Sequence, residues 1–189
     1  MQTTEIQPAG TRAQNVVASG DLHRGADEQQ QYLTFMLGDE MFAIGILSIR
    51  EIIEYGFVTD VPMTPPFIRG VLNLRGAVVP VVDLAVRFGR QPGENSKRTC
   101  IVIVDIEGDN GSQQMGVVVD AVNEVLEIAD GDIEPPPEFG ARIRNDFIKS
   151  MGKINGKFVV ILDLNRVLSV EEVAVIAKVA NAATAVSST

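Results

Sequence analysis

Few side chains in this sequence are of a type that does chemistry. There is one histidine, His23, and one cysteine, Cys100. Two aspartates, Asp83 and Asp163, stand in matching contexts, each closing an aliphatic run and preceding a leucine. Acid–base or nucleophilic catalysis needs such groups to converge. His23 lies in a polar stretch without plausible catalytic company. Cys100 sits in the apolar run Cys100 to Val104 with no histidine to activate it, so a buried, inert thiol is expected. Asp83 and Asp163 are expected to cap the helical turns that follow them, as Asp does at an N-cap. No His/Cys spacing suits a metal, and neither a P-loop nor a GxGxxG is present. The expectation is a chain without catalysis, cofactor or metal. Two charged side chains remain. Glu51 lies in Ile49-Arg50-Glu51-Ile52-Ile53, where an outward-facing Glu would alternate with apolar neighbours. Arg75 stands at a hairpin tip beside Gly76.

The elements that hold these residues read as mostly β. Leu33, Phe35 and Leu37 alternate, Gly38-Asp39 marks a turn, and Phe42 to Ile44 resumes the run. Further strands are expected at Ile49 to Glu54, Gly70 to Leu74, Ala77 to Val82, Thr99 to Ile106, Met115 to Val119, Val122 to Ile128, Met151 to Ile154 and Lys157 to Leu162. Glu107 to Gln113 reads as an extended polar loop. Asn155-Gly156 is a strong two-residue hairpin signal. Leu84 to Phe88 and Leu164 to Leu168 each suit about one helical turn. A capping box of Ser169 and Glu172 opens a C-terminal helix expected at about 170–180, with Val173, Ile176, Ala177 and Ala180 on one face. Residues 1–30 and 181–189 read as disordered tails.

The chain contains its own pattern twice. Phe67-Ile68-Arg69 through Asp83-Leu84 recurs 80 residues later as Phe147-Ile148-Lys149 through Asp163-Leu164. Ile44, Ile46, Ile49, Glu51 and Glu54 likewise match Val117, Val119, Val122, Glu124 and Glu127. A duplicated small barrel follows, about 32–90 and 99–169, joined by the polar linker 91–97. The copies differ at the hairpin tip. Asn155 tolerates positive φ, whereas Arg75 would be strained in a type I′ turn; a type I turn with Gly76 left-handed would avoid that. Packing does not ask for an arginine there. An exposed guanidinium offers donors to a partner carboxylate or carbonyl, or is simply a solvated turn residue.

Composition narrows the partners. The formal net charge is −9, with 16 basic and 25 acidic residues. Nucleic-acid binding and adhesion to anionic lipid both need clustered cations, so neither is expected. No run reaches the ~18 apolar residues of a membrane span. With one cysteine, an internal disulfide is impossible, and a cytoplasmic location is expected. The chain is apolar for two small barrels, so some strand faces are expected to remain exposed for a protein partner.

The stretch Gly70-Val71-Leu72-Asn73-Leu74-Arg75-Gly76-Ala77-Val78-Val79-Pro80-Val81-Val82-Asp83-Leu84 resembles the signature of the CheW family of bacterial chemotaxis coupling proteins. It also resembles the CheW-like regulatory domain of the histidine kinase CheA. Pro65 to Arg69, Met115 to Val122 and Ile133 to Phe139 add to the resemblance, which runs from about Tyr32 to Lys178. The resemblance implies an all-β fold of two intertwined five-stranded SH3-like barrels and no enzyme activity. It implies a cytoplasmic adaptor, recruited to receptor arrays at the inner face of the membrane. There it would couple the hairpin tips of chemoreceptors to a CheA-type histidine kinase. Arg75, in the turn that begins at Asn73, and Glu51 would serve assembly with receptor and kinase. Ile49, Gly70, Cys100, Gly116, Val122 and Val125 are, by position, candidates for the same surfaces. The competing readings are a docking module for another kinase or scaffold, carboxylate chemistry at Asp83 or Asp163, and an SH3-like nucleic-acid binder.

Overall fold

In a computed structural model the described residues are 30–108, 111–138 and 143–169. The expected C-terminal helix at 170–180, both tails and His23 lie outside them. Among the described residues eleven strands and two single-turn α-helices follow one another: β1 (Gln30–Leu37), β2 (Glu40–Gly45), β3 (Ile49–Glu54), β4 (Ile68–Leu74), β5 (Ala77–Asp83), α1 (Leu84–Arg87), β6 (Cys100–Gly108), β7 (Gly111–Val119), β8 (Ala121–Ile128), β9 (Ile133–Glu134), β10 (Ile148–Ile154), β11 (Lys157–Leu162) and α2 (Leu164–Val167). Among the described residues no helix is long and apolar enough to cross a membrane.

The strands form a six-stranded sheet in the order β8-β1-β2-β11-β10-β9 and a five-stranded sheet in the order β3-β6-β7-β5-β4. Each sheet draws on both halves of the chain. The β1–β2 hairpin lies beside β8 and β11, and the β6–β7 hairpin lies between β3 and β5. Parallel pairs make the exchange: Phe42 opposite Val160, and Val82 opposite Val117. The division at about 32–90 and 99–169 therefore divides the sequence and not the sheets. A half of this size buries too little apolar surface alone, and trading hairpins merges the two interiors.

Burial of both strand faces explains the unbroken apolar runs. Val102, Val104 and Ile106 of β6 enter a central core with Phe35, Phe42, Ile44, Val117 and Phe147. The alternate residues Ile101 and Ile103 enter a second cluster with Leu72, Val79 and Val81. Tyr32, Ala43, Ile128, Val159 and Ile161 make a third. The 107–113 loop proves to be mostly strand. The β6–β7 ladder continues past Glu107 opposite Ser112 to Gly108 opposite Gly111, because paired backbone groups hold polar residues extended as well as apolar ones.

The two aspartates cap their helical turns. Asp83 accepts from Val86 N at 3.2 Å and Asp163 from Arg166 N at 3.3 Å. Asp83 also accepts from Arg69 Nε at 2.8 Å, a pairing that the sequence pattern did not reveal.

Where the copies meet, Arg87 joins equivalent residues of both. Its guanidinium lies 4.5 Å from the Phe67 ring centre and 5.2 Å from that of Phe147, and its Nε donates to Val167 O at 2.8 Å. Phe67 and Phe147 are repeat partners, as are positions 87 and 167, so Arg87 stands at the internal two-fold relation. Arg87→Ala should destabilise the fold by about 2–3 kcal/mol, summing the cation–π and hydrogen-bond terms it removes. Urea unfolding measures this, and a midpoint equal to wild type would rule out a keystone role.

Candidate functional site

The site is built on the β4–β5 hairpin, whose strands meet at Leu74 opposite Ala77 and leave a two-residue turn. Arg75 has φ 51° and Gly76 φ 86°. Positive φ at both positions makes a type I′ turn, so the strain-relieving type I turn is not what forms. The right-handed twist of the flanking strands favours I′ and overrides the side chain's preference. The matching turn has Asn155 at φ 50° and Gly156 at φ 77°, where Asn is at home. Arg75 thus carries a backbone cost of about 1 kcal/mol that an asparagine would largely avoid. Asn73 steadies the turn, its Oδ1 accepting from Gly76 N at 3.0 Å.

The guanidinium forms a fork with Glu51. Arg75 Nη1 donates to Oε1 at 3.0 Å and Nη2 to Oε2 at 3.2 Å. Glu51 lies on β3, which with β4 forms the two edges of the five-stranded sheet. The sheet curls until a hairpin tip from one edge reaches the strand at the other. The Arg75 side chain remains 79% exposed and that of Glu51 only 26%. Glu51 is therefore not the outward-facing residue expected. Alternation along β3 puts it in phase with half-buried Ile49 and Ile53, and turns Arg50, Ile52 and Glu54 outward. A solvent-washed ion pair contributes about 0–1 kcal/mol. Strain and pair roughly cancel, so folding supplies little reason for an arginine here. What the fork provides is an oriented guanidinium with its remaining N–H donors facing outward.

The other expected residues divide by their surroundings. Val125 on β8 is 47% exposed and offers an apolar contact. Ile49, Cys100 and Val122 are half-buried against the central core. Cys100 is thus less buried than its neighbours suggested, because it is the first residue of β6, at the end of the strand between Glu54 and Val119, and its thiol donates to Arg98 O at 3.3 Å. Gly70 and Gly116 are buried and present no surface. A Cβ on Gly116 would come 2.7 Å from Ile101 Cγ2. Gly70, at φ 141°, marks a register shift where the Thr59 carbonyl crosses β4. Both shape the sheet that aims Glu51 and Arg75. Glu51, Arg75 and Asn73 form one cluster; the rest do not join it.

Exposed apolar side chains complete the surface. Ile52 and Val78 stand out from β3 and β5, and Phe57 and Met63 from the β3–β4 connection are fully exposed. Met63 has φ 62°, a second non-glycine residue held left-handed in this half. Strand alternation signals Ile52; nothing in the sequence pattern singles out Phe57 or Met63. Among the described residues no group of three His, Cys, Asp or Glu could hold a metal ion. An open cleft of about 780 Å³ lies elsewhere, beside Ile46, Leu47, Asp105 and Leu164.

Comparison with known proteins gives the family. Residues 31–172 match the family model described as the CheW-like domain. The chain is 36% identical over 151 residues to the chemotaxis protein CheW of Klebsiella aerogenes, covering 80% of this chain and 89% of that one. It is 34% identical to the chemotaxis protein CheW of Helicobacter pylori, covering 82% and 91%. Among solved structures it resembles the scaffolding protein TtCheW of Thermoanaerobacter tengcongensis, with a TM-score of 0.70 and 35% identity over 79% of this chain and 94% of that one. On the family match and these relatives together, the chain belongs to the CheW-like domain family.

Proposed function

We propose that this chain is a non-enzymatic adaptor of chemotaxis signalling, linking chemoreceptors to a CheA-type histidine kinase in the cytoplasm. The observation that carries the reading is the Arg75–Glu51 fork: an exposed arginine held in a strained turn, at little net benefit to the fold. Backbone strain that packing does not require collects at functional positions. Membership of a family that includes chemotaxis proteins, and likeness to a scaffolding protein, support the same reading.

The geometry suggests how such an adaptor works. Glu51 holds the guanidinium plane before a partner arrives, which saves about 0.5–1.5 kcal/mol of side-chain ordering on binding. The free donors then meet a partner carboxylate or carbonyl, while Ile52 and Val78 supply apolar contact. Signal passes by linkage. A receptor state that binds the adaptor–kinase pair more tightly shifts kinase output by that difference in affinity, and no chemistry in the adaptor is needed.

The test is a pull-down from source-cell lysate with wild type and Arg75→Glu side by side. Wild type should recover a CheA-type kinase and a receptor, and the variant should recover at least tenfold less while melting normally. Recovery of a different kinase or scaffold, and of neither expected partner, would assign the site to docking outside chemotaxis.

A further inference from the structure

The second copy of the repeat carries an unpaired positive surface that the first lacks. Of the five lysines in this chain of net charge −9, three fall on the β10–β11 hairpin: Lys149, Lys153 and Lys157. All three are exposed, and none forms an ion pair with a described residue. No Asp or Glu occurs on either strand. Phe158 stands directly across from Lys153 in the ladder, so the two share a face, and it is 54% exposed. Lys157 flanks the turn and, next to Phe158 along the strand, points to the opposite face, so the two cations grip the hairpin tip from both sides, whereas Lys149, at the register shift, borders the cleft that Asp105 and Asp163 also line.

The first copy serves as an internal control. Its two cations on the equivalent hairpin are both neutralised, Arg69 by Asp83 and Arg75 by Glu51. Asn73 stands where Lys153 does, Ala77 where Lys157 does, and Val78 where Phe158 does. The same fold is therefore built without free cations or an exposed aromatic ring at these positions.

We propose that the β10–β11 hairpin is a second docking surface, separate from the Arg75 site, for an acidic segment of another protein that carries an apolar side chain among its carboxylates. Charge complementarity selects the anion, and Phe158 selects a partner with an apolar contact to bury. A protein segment fits better than a polyanion. Extended nucleic acid or a lipid surface would meet the chain's net negative charge, and three lysines fall short of the ~4–8 clustered cations that lipid recognition takes.

The test places a photo-crosslinking phenylalanine analogue at position 158 of the full chain in its source cell and identifies the conjugated peptide by mass spectrometry. The expected conjugate is a carboxylate-rich segment of a different protein. Its yield should fall at least tenfold in Lys149→Glu/Lys153→Glu/Lys157→Glu, persist when the same lysines become arginine, and persist in Arg75→Glu. Melting curves establish that each variant folds, and the triple glutamine variant replaces the triple glutamate one if that fails to fold. Conjugation to lipid, nucleic acid, a second copy or a neutral segment overturns the proposal. So does a yield indifferent to charge reversal, or the absence of any conjugate.

Discussion

Arg75→Asn should leave the protein as stable as wild type, or more stable by a few tenths of a kcal/mol, while weakening partner binding at least tenfold. The repeat supplies the reasoning. Asn155 occupies the equivalent position at φ 50°, and Arg75 occupies its own at φ 51°, so the substitution puts into copy one what copy two already uses. Asn adopts left-handed backbone at lower cost than Arg, a gain of about 1 kcal/mol. Against it stands the loss of the fork to Glu51, an exposed pair contributing about 0–1 kcal/mol. The two nearly cancel in the fold. They do not cancel in binding, where the guanidinium's free donors have no replacement. Removing a charge-assisted hydrogen bond from an interface costs about 2 kcal/mol or more. Stability retained while binding fails is the signature of a residue kept for function. Thermal melting and titration calorimetry with purified kinase regulatory domain read the two halves separately. A marked fall in stability would make Arg75 a structural residue.

Gly70→Ala has the opposite signature. At φ 141° the backbone is open to glycine and hostile to other residues, and the added Cβ would collide with the Thr59 carbonyl. That carbonyl accepts from Val71 N at 2.8 Å while Thr59 N donates to Val71 O at 2.8 Å, so the obstacle is bonded backbone that cannot swing aside. Strain and the broken bridge together should cost roughly 3–4 kcal/mol, a melting drop of about 6–16 °C for a domain of this size. Gly131→Ala is the matched control. Nothing lies within 4 Å of its Cβ and its φ is ordinary, so it should melt like wild type. Equal melting of the two variants would contradict the close crossing of Thr59 over β4. Binding at the Arg75 site should fall only in proportion to the drop in folded fraction.

Much of this arrangement is legible in the residues because the chain states it twice. The matched runs ending in Asp83-Leu84 and Asp163-Leu164 mark equivalent strands, and both caps form as their residue types suggest. The exchange of hairpins is not readable from the pattern itself and enters the sequence reading only as something the family resemblance implies. β1–β2 presents the same alternation whichever half it pairs with, and the choice is made by burial across the whole chain. The Arg75 turn shows local and global preferences in conflict. Steric preference argues against positive φ at arginine, but a two-residue hairpin between twisted strands imposes it. Glu51 stands out in the strand pattern although on the opposite face from the one expected, and its pairing with Arg75 depends on the sheet curling edge to edge, a property of no single segment. The three hairpin lysines, each four residues from the next, do not read as a cluster in the sequence. Their meaning emerges only beside the first copy, where Arg69 is paired with Asp83 and the other two positions hold Asn73 and Ala77.

As the proposed adaptor, this chain would transmit receptor state to a kinase without chemistry of its own. The most direct measurement reconstitutes receptor-bearing membranes, a CheA-type kinase and this protein, and follows kinase autophosphorylation with and without receptor ligand. Ligand should change kinase activity only when the chain is present, and the effect should vanish with Arg75→Asn although that variant folds. Ligand control of the kinase without the chain, or undiminished control with Arg75→Asn, would contradict the account.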